Sequence, residues 1–325
     1  MPPPLPLRRI LFVRTDRMGD LLMSLPAIHA VRRTFPETEI HLLIQKELIP
    51  LLEEHPDLDR LLPFEPKKSG GWGGIVRAAS RLRRERFDAV IVMNPTRLFH
   101  AASFLAGIPL RIGYRRKLGF LLTRSLPDTK VSRNLHESQY NLELVRLLGI
   151  PVPEGTLRLP ERPEAEAQAR RLLAAHDCAA GQPLIAVHPW TSNPSKSWPL
   201  DSFWRAARSL GKGNRRLLLI GQSQAGSASP SSLPSELVNL TGKTSLEVLP
   251  ALLRRCAFLL SNDSGPVHVA SAVGTPAIVV APREHARQLE RWKPLGTGHR
   301  ILIDPTVEEV VAAAEGILQA REVVG

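Results

Sequence analysis

Short apolar runs alternate with amphipathic stretches along this chain. In the first half, the apolar runs Ile10–Val13, Ile40–Ile44 and Phe87–Met93 have the length and the composition of buried strands. The amphipathic stretches Asp20–Arg33 and Ile75–Arg86 have helical periodicity. Because neighbouring parallel strands need a crossover connection, usually a helix, this alternation predicts an α/β fold in which helices cover both faces of a parallel sheet.

The alternation stops once and then begins again. The stretch from Gly149 to Pro163 contains four prolines and two glycines and lacks the periodicity of a helix or a strand. We place an inter-domain linker here, because a chain of 325 residues is long enough for two domains of ordinary size. The predicted domains are residues 1–155 and 156–325.

The second half repeats the pattern of the first. Its predicted strands are Leu184–His188, Arg216–Ile220, Ala257–Ser261 and Ala277–Val280. Its predicted helices are Asp201–Leu210 with Asp201 as the cap, Ser245–Cys256, Gly265–Val273, and a last helix that Thr306 caps and that extends to about Arg321. Open α/β sheets bind ligands at the carboxyl ends of their strands, so we expect functional residues there.

The chain is strongly basic. Its 43 Lys and Arg residues against 31 Asp and Glu residues give a formal net charge of +12, which favours an anionic partner: phosphate, nucleic acid or an anionic membrane surface. Cys178 and Cys256 lie far apart in the sequence, so we expect neither a disulfide framework nor a metal cluster. This use of cysteine is typical of a protein in a reducing cytoplasm. We expect no signal peptide, and no apolar run reaches the ~18 residues that a membrane span needs.

Residues 259–276, LLSNDSGPVHVASAVGTP, are the first candidate site. An apolar strand ends in Asn262 and Asp263, and Ser264, Gly265 and Pro266 follow at the start of a helix of small residues. The free amides and the dipole of a helix N-terminus form an anion site, and a glycine there lets a ligand approach closely. The alternative is an ordinary turn that Asp263 or Ser264 caps, and His268 taken alone fits a packed residue better than a ligand.

Residues 188–199, HPWTSNPSKSWP, are the second candidate site and also follow a strand. Thr191, Ser192 and Lys196 offer two hydroxyls and one ammonium group, which suits a pyrophosphate. The alternative is a solvated polar loop. Trp198 is predicted to be a packing anchor.

The third candidate lies in residues 14–33, RTDRMGDLLMSLPAIHAVRR, where the turn after the first strand contains Gly19 and the carboxylate Asp20. Dinucleotide-binding folds place bare glycine amides in that turn, so an anion is unexpected. The alternative role of Asp20 is to compensate a helix dipole. No G-x-G-x-x-G follows the strand, no P-loop motif is present, and no Cys/His cluster has zinc spacing, which argues against nicotinamide or flavin enzymes, P-loop NTPases and zinc sites.

Together these stretches resemble glycosyltransferase family 9, the lipopolysaccharide heptosyltransferases. The segments LTGKTSLEVLPALL, RIGYRR and HESQYNLELVRLLGI resemble the family as well, and the order of the segments is the family's. The resemblance implies a GT-B architecture: two Rossmann-like domains whose parallel sheets face a central cleft. It implies an inverting transfer of heptose from ADP-heptose to a lipid-linked core oligosaccharide, without a metal or another cofactor.

The resemblance also implies roles for individual residues. Asp20 matches the family's general base, and Lys196 matches a lysine that contacts donor phosphate and stabilises the charge on the leaving ADP. The implied donor site comprises residues beside the phosphates, the sugar and the nucleoside: Thr191, Ser192, Lys196, Lys243, Thr244, Leu246, Asp263, Ser264, Gly265 and His268. The implied acceptor side comprises Gly19, Arg111 and Arg116.

The chain departs from the family pattern in two places. Many members have an acidic residue for the ribose hydroxyls where this chain has LLLIGQSQAGS, with Gln222 and Gln224. The family's GPT is replaced by APREHARQ around Arg283. The alternatives are therefore a transferase that uses another nucleotide sugar or acceptor, a nucleotide-sugar epimerase of the same fold, and an inactive binding module, although Asp20 and Lys196 argue against the last.

The family's acceptor is an amphiphile of the inner leaflet, so we expect a cytoplasmic protein that associates peripherally with the inner membrane and binds no nucleic acid. The predicted contact with anionic lipid is the densest group of basic residues: Arg77, Arg81, Arg83, Arg84, Arg86, Arg111, Arg115, Arg116, Lys117 and Arg124. The alternative is a solvated face that is partly paired with Glu85 and Asp88.

Overall fold

The computed structural model describes residues 7–66, 70–151, 157–178, 181–191, 193–222 and 237–322. The chain divides into two compact units, Met1–Leu157 and Arg158–Gly325. Among the helices of the described ranges, none has both the length and the apolar composition that crossing a membrane requires.

The first unit is built on a six-stranded sheet with the order β3-β2-β1-β4-β5-β6. Every pair of neighbouring strands is parallel. The strands are β1 (Arg9–Val13), β2 (Glu39–Gln45), β3 (Arg60–Phe64), β4 (Ala89–Val92), β5 (Leu110–Tyr114) and β6 (Arg124–Leu126). Of the two central strands, β4 is buried along its whole length and β1 is buried from Ile10 onward, as the apolar runs predicted.

Helices connect these strands. They are α1 (Met18–Leu22), α2 (Leu25–Thr34), α3 (Ile49–Leu52), α4 (Gly71–Glu85), α5 (Arg97–Leu105), α6 (Lys130–Arg133) and α7 (Glu137–Arg146). The single helix predicted over Asp20–Arg33 is wrong, because the structure has two. Pro26 has no N–H to donate to Leu22, so the chain begins a new helix at Leu25 with the proline in its first turn.

The second unit contains another parallel six-stranded sheet, with the order β12-β11-β10-β7-β8-β9. The strands are β7 (Leu184–His188), β8 (Arg216–Leu219), β9 (Leu237–Asn239), β10 (Cys256–Asn262), β11 (Ala277–Ala281) and β12 (Arg300–Ile303). The α/β class and the two Rossmann-like domains with parallel sheets are thereby confirmed.

The helices of the second unit are α8 (Pro163–Ala174), α9 (Leu200–Leu210), α10 (Leu249–Arg254), α11 (Gly265–Ala272), α12 (Ala286–Trp292) and α13 (Val307–Glu322). The helix predicted from Ser245 is too long, because Pro250 is accommodated only in the first turn of α10. Asp201 lies in the first turn of α9 and is not its cap. Thr306 caps α13 as predicted, since its hydroxyl accepts from the Glu309 amide at 3.2 Å.

The core of the second unit confirms one predicted packing residue. The Trp198 side chain is buried, lies edge-on to the Phe203 ring at 5.0 Å between centroids, and donates from Nε1 to the Pro305 carbonyl at 3.0 Å. The loop that precedes α9 is thus anchored to the sheet beneath it.

Each sheet reverses its strand order at one point. In the first unit, successive strands are added from β1 toward one edge of the sheet and then from β4 toward the other edge. In the second unit, the strands are added in the same way from β7 toward one edge and from β10 toward the other. The carboxyl ends of the strands at such a switch point border a crevice where open α/β sheets bind ligands. The three candidate segments follow β1, β7 and β10, so the topology places each of them at a switch point.

Candidate active site

Asp20 lies in α1, directly after β1. Its Oδ1 is 3.0 Å from Nη2 of Arg14, and the carboxylate side chain retains 19% exposure. Gly19 precedes it in the first turn of α1 and is half-buried. The carboxylate is therefore held in one orientation by a cation and still contacts solvent.

Arg14 directly follows β1, and its side chain is almost completely buried, at 1% exposure. Glu137 at the start of α7 is fully buried, and its Oε1 lies 3.0 Å from Arg14 Nη2 and 2.8 Å from Lys130 Nζ. Burial alone would lower the pKa of Arg14, but Asp16, Glu137 and Asp20 together raise it above its ordinary value. The guanidinium is thus a fixed positive charge, because a buried cation persists when carboxylates compensate it.

Asp16 is the third carboxylate on Arg14. Its Oδ1 is buried and lies 2.9 Å from Arg14 Nε, at an angle outside hydrogen-bond geometry, while 30% of the side chain is exposed. Burial raises the pKa of Asp16 to about 6; Arg14 opposes this shift, whereas Asp20 and Glu137 add to it. Sequence reasoning missed this residue, although its position in the same turn as Asp20 was a usable signal.

Two amide side chains hold the turn that contains Asp16. Gln45, at the end of β2, donates from Nε2 to the carbonyls of Thr15 and Asp16 at 3.0 and 2.9 Å. Asn94, after β4, accepts from the Thr15 amide at 3.3 Å and donates to the Thr15 hydroxyl at 3.1 Å. These contacts tie the ends of three strands together, and neither amide residue was among the predicted site residues.

In the second unit, Lys196 and Asp263 meet at the β7–β10 edge of the sheet. Lys196 follows β7 and Asp263 follows β10, and the ammonium donates to Asp263 Oδ2 at 2.8 Å. The two side chains are 15% and 10% exposed. The structure therefore brings together two of the three segments that the sequence singled out.

Ser264 stands at the N-cap position of α11, but its hydroxyl does not cap the helix. It lies 3.1 Å from His188 Nδ1 and 2.9 Å from the Ser261 hydroxyl. Burial lowers the pKa of His188 to about 4, so the imidazole is neutral near pH 7. Because the hydroxyl faces His188, the first amides of α11 around Gly265 receive no side-chain cap from Ser264.

Asn262, the last residue of β10, connects the two segments of this edge. It accepts from the Trp198 amide at 2.8 Å and donates to the Pro189 carbonyl at 2.5 Å. The residue is completely buried. Asn262 and His188 are therefore framework residues of the candidate site, and a single sequence offered no signal to separate them from the strands they end.

The remaining predicted donor residues have varied surroundings. The Thr191 hydroxyl accepts from the Asn193 amide at 3.3 Å, and Ser192 lies outside the described residues. Lys243 Nζ lies 3.2 Å from His176 Nε2, at the end of α8. Thr244 and Leu246 are half-buried in the loop before α10.

His268 is 97% buried within α11, at 3% exposure. Among the residues that depart from the family pattern, Gln222 is exposed and Gln224 lies outside the described residues. The Arg283 backbone amide donates a hydrogen bond to Asp304 Oδ1 at 3.0 Å. Roles for these residues toward a nucleotide stay predictions.

The structure does not bring Arg111 to the edge that holds Asp20. Arg111 lies near the beginning of β5, whereas Asp20 follows the end of the parallel strand β1. The Arg111 guanidinium donates to the Leu121 and Ile108 carbonyls at 2.8 and 2.5 Å. Arg116 follows the end of β5, is exposed, and pairs with Asp128 at 3.2 Å.

Several known proteins resemble this chain in sequence. Residues 75–302 match the family described as glycosyltransferase family 9 (heptosyltransferase). The chain is 25% identical over 292 residues to lipopolysaccharide heptosyltransferase 2 of Salmonella typhimurium, covering 84% of this chain and 82% of that protein.

Two solved structures share the fold. The glycosyltransferase family 9 protein of Veillonella parvula DSM 2008 superposes with a TM-score of 0.85 at 20% identity, over 96% of this chain and 98% of the other. The ADP-heptose LPS heptosyltransferase II of E. coli superposes with a TM-score of 0.81 at 20% identity, over 97% and 99%. Since the family match covers more than half of the sequence, the chain belongs to glycosyltransferase family 9 and is an enzyme of the heptosyltransferase type, as its motifs predicted.

Proposed function

We propose that the protein transfers heptose from ADP-heptose to a lipopolysaccharide core acceptor with inversion at the anomeric carbon. The observation that carries this proposal is the convergence of Lys196, Asp263 and Ser264 beside the N-terminus of α11. The relatives described above are lipopolysaccharide heptosyltransferases, which supports this sugar and this acceptor.

The donor diphosphate is proposed to bind at the β7–β10 edge. The amides at the start of α11 and the helix dipole favour an anion there, and Gly265 has no side chain to keep it away. Lys196 supplies a mobile point charge that exchanges its contact with Asp263 for one with phosphate. In the transition state these groups stabilise the negative charge that develops on the leaving ADP.

Asp20 is proposed to act as the general base. The acceptor hydroxyl becomes acidic as its oxygen bonds to the anomeric carbon and the bond from that carbon to the phosphate oxygen breaks. Asp20 takes the hydroxyl proton, and ADP leaves with the bonding electrons. The pairing of Asp20 with Arg14 at 3.0 Å keeps one carboxylate oxygen oriented, and the exposed part of the group remains accessible to a sugar. We propose that neither a metal nor another cofactor takes part.

The proposal is tested by incubating the protein with ADP-heptose, with and without a core lipid that lacks the heptose. We expect ADP release and a heptosylated lipid only when both substrates are present. ADP-glucose and UDP-N-acetylglucosamine serve as matched donors and test the alternative sugar specificity.

Two results would contradict the proposal. Conversion of the donor sugar without an acceptor would support the epimerase alternative. Equal transfer from the other donors would show that the protein does not select heptose. That result would support a transferase activity and contradict the assignment of heptose as the sugar.

We also propose that the protein associates with an anionic inner-leaflet surface. Helix α4 presents exposed arginines and two exposed apolar side chains, Trp72 at 69% and Val76 at 49% exposure. Glu85 pairs instead with Arg60 at 3.1 Å, and Asp88 accepts from the backbone amides of Arg8 and Arg9 at 2.8 Å. Arginines beside an amphipathic tryptophan suit a lipid interface.

The surface of α4 is tested by co-sedimentation with phosphatidylglycerol-containing and pure phosphatidylcholine vesicles. We expect binding to the anionic vesicles at low salt, loss of binding at high salt, and weaker binding for Arg83→Glu/Arg84→Glu and for Trp72→Ala. The control is Arg170→Glu/Arg171→Glu, which reverses two adjacent exposed arginines on α8. Equal binding to both vesicle types, or equal loss in the control, would leave the positive charge without a membrane role.

A further inference from the structure

The cluster around Arg14 contains more carboxylates than the base chemistry requires. One guanidinium faces Asp16 through Nε at 2.9 Å, and Asp20 and Glu137 through Nη2 at 3.0 Å each. Glu137 has a second cation in Lys130, at 2.8 Å. Asp16 and Asp20 lie in one turn and share the charge of Arg14.

The contact between Asp16 and Arg14 is poorly directed. Asp16 Oδ1 is buried but lies outside hydrogen-bond geometry toward Arg14 Nε, although the atoms are only 2.9 Å apart. Burial also raises the pKa of the Asp16 carboxyl to about 6. A group with a folded-state pKa above its unfolded value of 3.8 destabilises the fold when it is ionised, so stability from this group increases as pH falls through 6.

Asp16 and Asp20 compete for one buried guanidinium, at 2.9 and 3.0 Å from its nitrogen atoms. We propose that Asp16 is a positioning residue for the Asp20 base: it draws part of the charge of Arg14 to itself, so that Asp20 is oriented by the arginine without being fully neutralised by it. This inference rests on the proposed role of Asp20 as the base. It assigns Asp16 no direct contact with substrate.

The physical reason is competition for one cation. A carboxylate that alone faces a buried guanidinium forms a tight pair, and its lone pairs are then committed to that pair. A second carboxylate on the same guanidinium weakens this pairing and adds a negative charge nearby, which makes the arrival of a proton on the pair more favourable. The charge of Asp20 in turn contributes to the raised pKa of Asp16, so the two carboxylates are coupled through Arg14.

The variant Asp16→Asn tests the inference, because it retains the shape of the side chain and removes the charge. We expect kcat for transfer to fall about 10-fold with donor KM unchanged, and the acid limb of the kcat profile to move by about one pH unit to lower pH. The urea concentration at the midpoint of unfolding is expected to be higher in Asp16→Asn than in the wild type at pH 8. The difference between the two proteins is expected to shrink as the pH falls toward 5.

The control is Asp57→Asn, which removes a carboxylate that pairs with His29 at 2.9 Å in the same unit, away from Arg14. We expect it to leave the acid limb in place. If Asp16→Asn raises stability but retains the wild-type acid limb, the residue has only a structural role and the inference is wrong.

Carboxyl ¹³C NMR of protein labelled at aspartate separates this inference from the proposed function. The resonance of Asp16 is expected to titrate at lower pH in Asp20→Asn, because the charge of Asp20 contributes to the raised pKa of Asp16, whether or not the protein transfers heptose. An unchanged Asp16 titration overturns the coupling. If the titration changes but the protein transfers no sugar, the coupling between Asp16 and Asp20 is supported and the proposed heptosyltransferase function is wrong.

Discussion

We expect His100 to make the first unit sensitive to acid. It lies on α5 with no exposed surface, and within the described part of the chain neither ring nitrogen has a hydrogen-bond partner. Burial lowers the pKa of His100 from 6.5 to about 4, and the positive charge of Lys117 contributes to the shift. The folded state therefore holds the neutral imidazole at pH values where the unfolded chain binds a proton.

The magnitude follows from linkage. Because the folded-state pKa lies below the unfolded value, stability from this group is complete above pH 6.5 and is lost as pH falls toward 4. Between pH 7.5 and pH 5.0 the loss in the free energy of unfolding amounts to about 2 kcal/mol, and it approaches about 3 kcal/mol below pH 4.

The variant His100→Leu removes the titrating group. Urea unfolding followed by far-ultraviolet circular dichroism at pH 7.5 and 5.0 should show that the variant loses about 2 kcal/mol less than the wild type between the two pH values. The control Ile108→Val, a buried apolar residue of the same unit, shifts the stability at both pH values equally. If His100→Leu and the wild type lose the same free energy, the imidazole is not the acid-sensitive group and the reasoning is refuted.

Three further perturbations test the site and its framework. Asp20→Asn should lower turnover about 10²- to 10⁴-fold with little change in the calorimetric affinity for ADP, and near wild-type turnover would show that Asp20 is not the base. Lys196→Ala should weaken ADP binding about 10- to 100-fold, the contribution of a charge-assisted hydrogen bond, and unchanged affinity would remove it from the donor site. Gly221→Ala places a methyl group 2.5 Å from the Trp190 ring at φ +135°, and should destabilise the protein by about 2–4 kcal/mol. The control is Gly213→Ala, which has a positive φ but no neighbour within 4 Å and should lower the free energy of unfolding by less. Equal losses of free energy in the two variants would show that the contact with Trp190 is unimportant.

The sequence predicted the central strands well and the edge strands poorly. The strands at the centre of each sheet, β1, β4, β7 and β10, each contain a run of at least four consecutive apolar residues because both of their faces are buried. The edge strands β6 (Arg124–Leu126) and β9 (Leu237–Asn239) are short and partly polar, so they have no distinctive periodicity. They become strands because a neighbouring strand supplies hydrogen-bond partners, which is a property of the sheet.

Some residues of the candidate site could be predicted from the sequence and others could not. Asp20, Lys196 and Asp263 were predictable because each follows an apolar run, and the chain direction places such residues at the carboxyl edge of a parallel sheet. The motif GKTSL and the glycine at the start of α11 were also readable as local patterns.

Only the tertiary structure decided which groups surround the site residues. Glu137 lies 123 residues from Arg14, and the fold alone brings it to 3.0 Å. His188 and Ser264 are 76 residues apart and meet at 3.1 Å because β7 and β10 are neighbours. Burial and long-range contact determine how a carboxylate or an imidazole ionises, and a pattern that spans a few consecutive residues records neither of them.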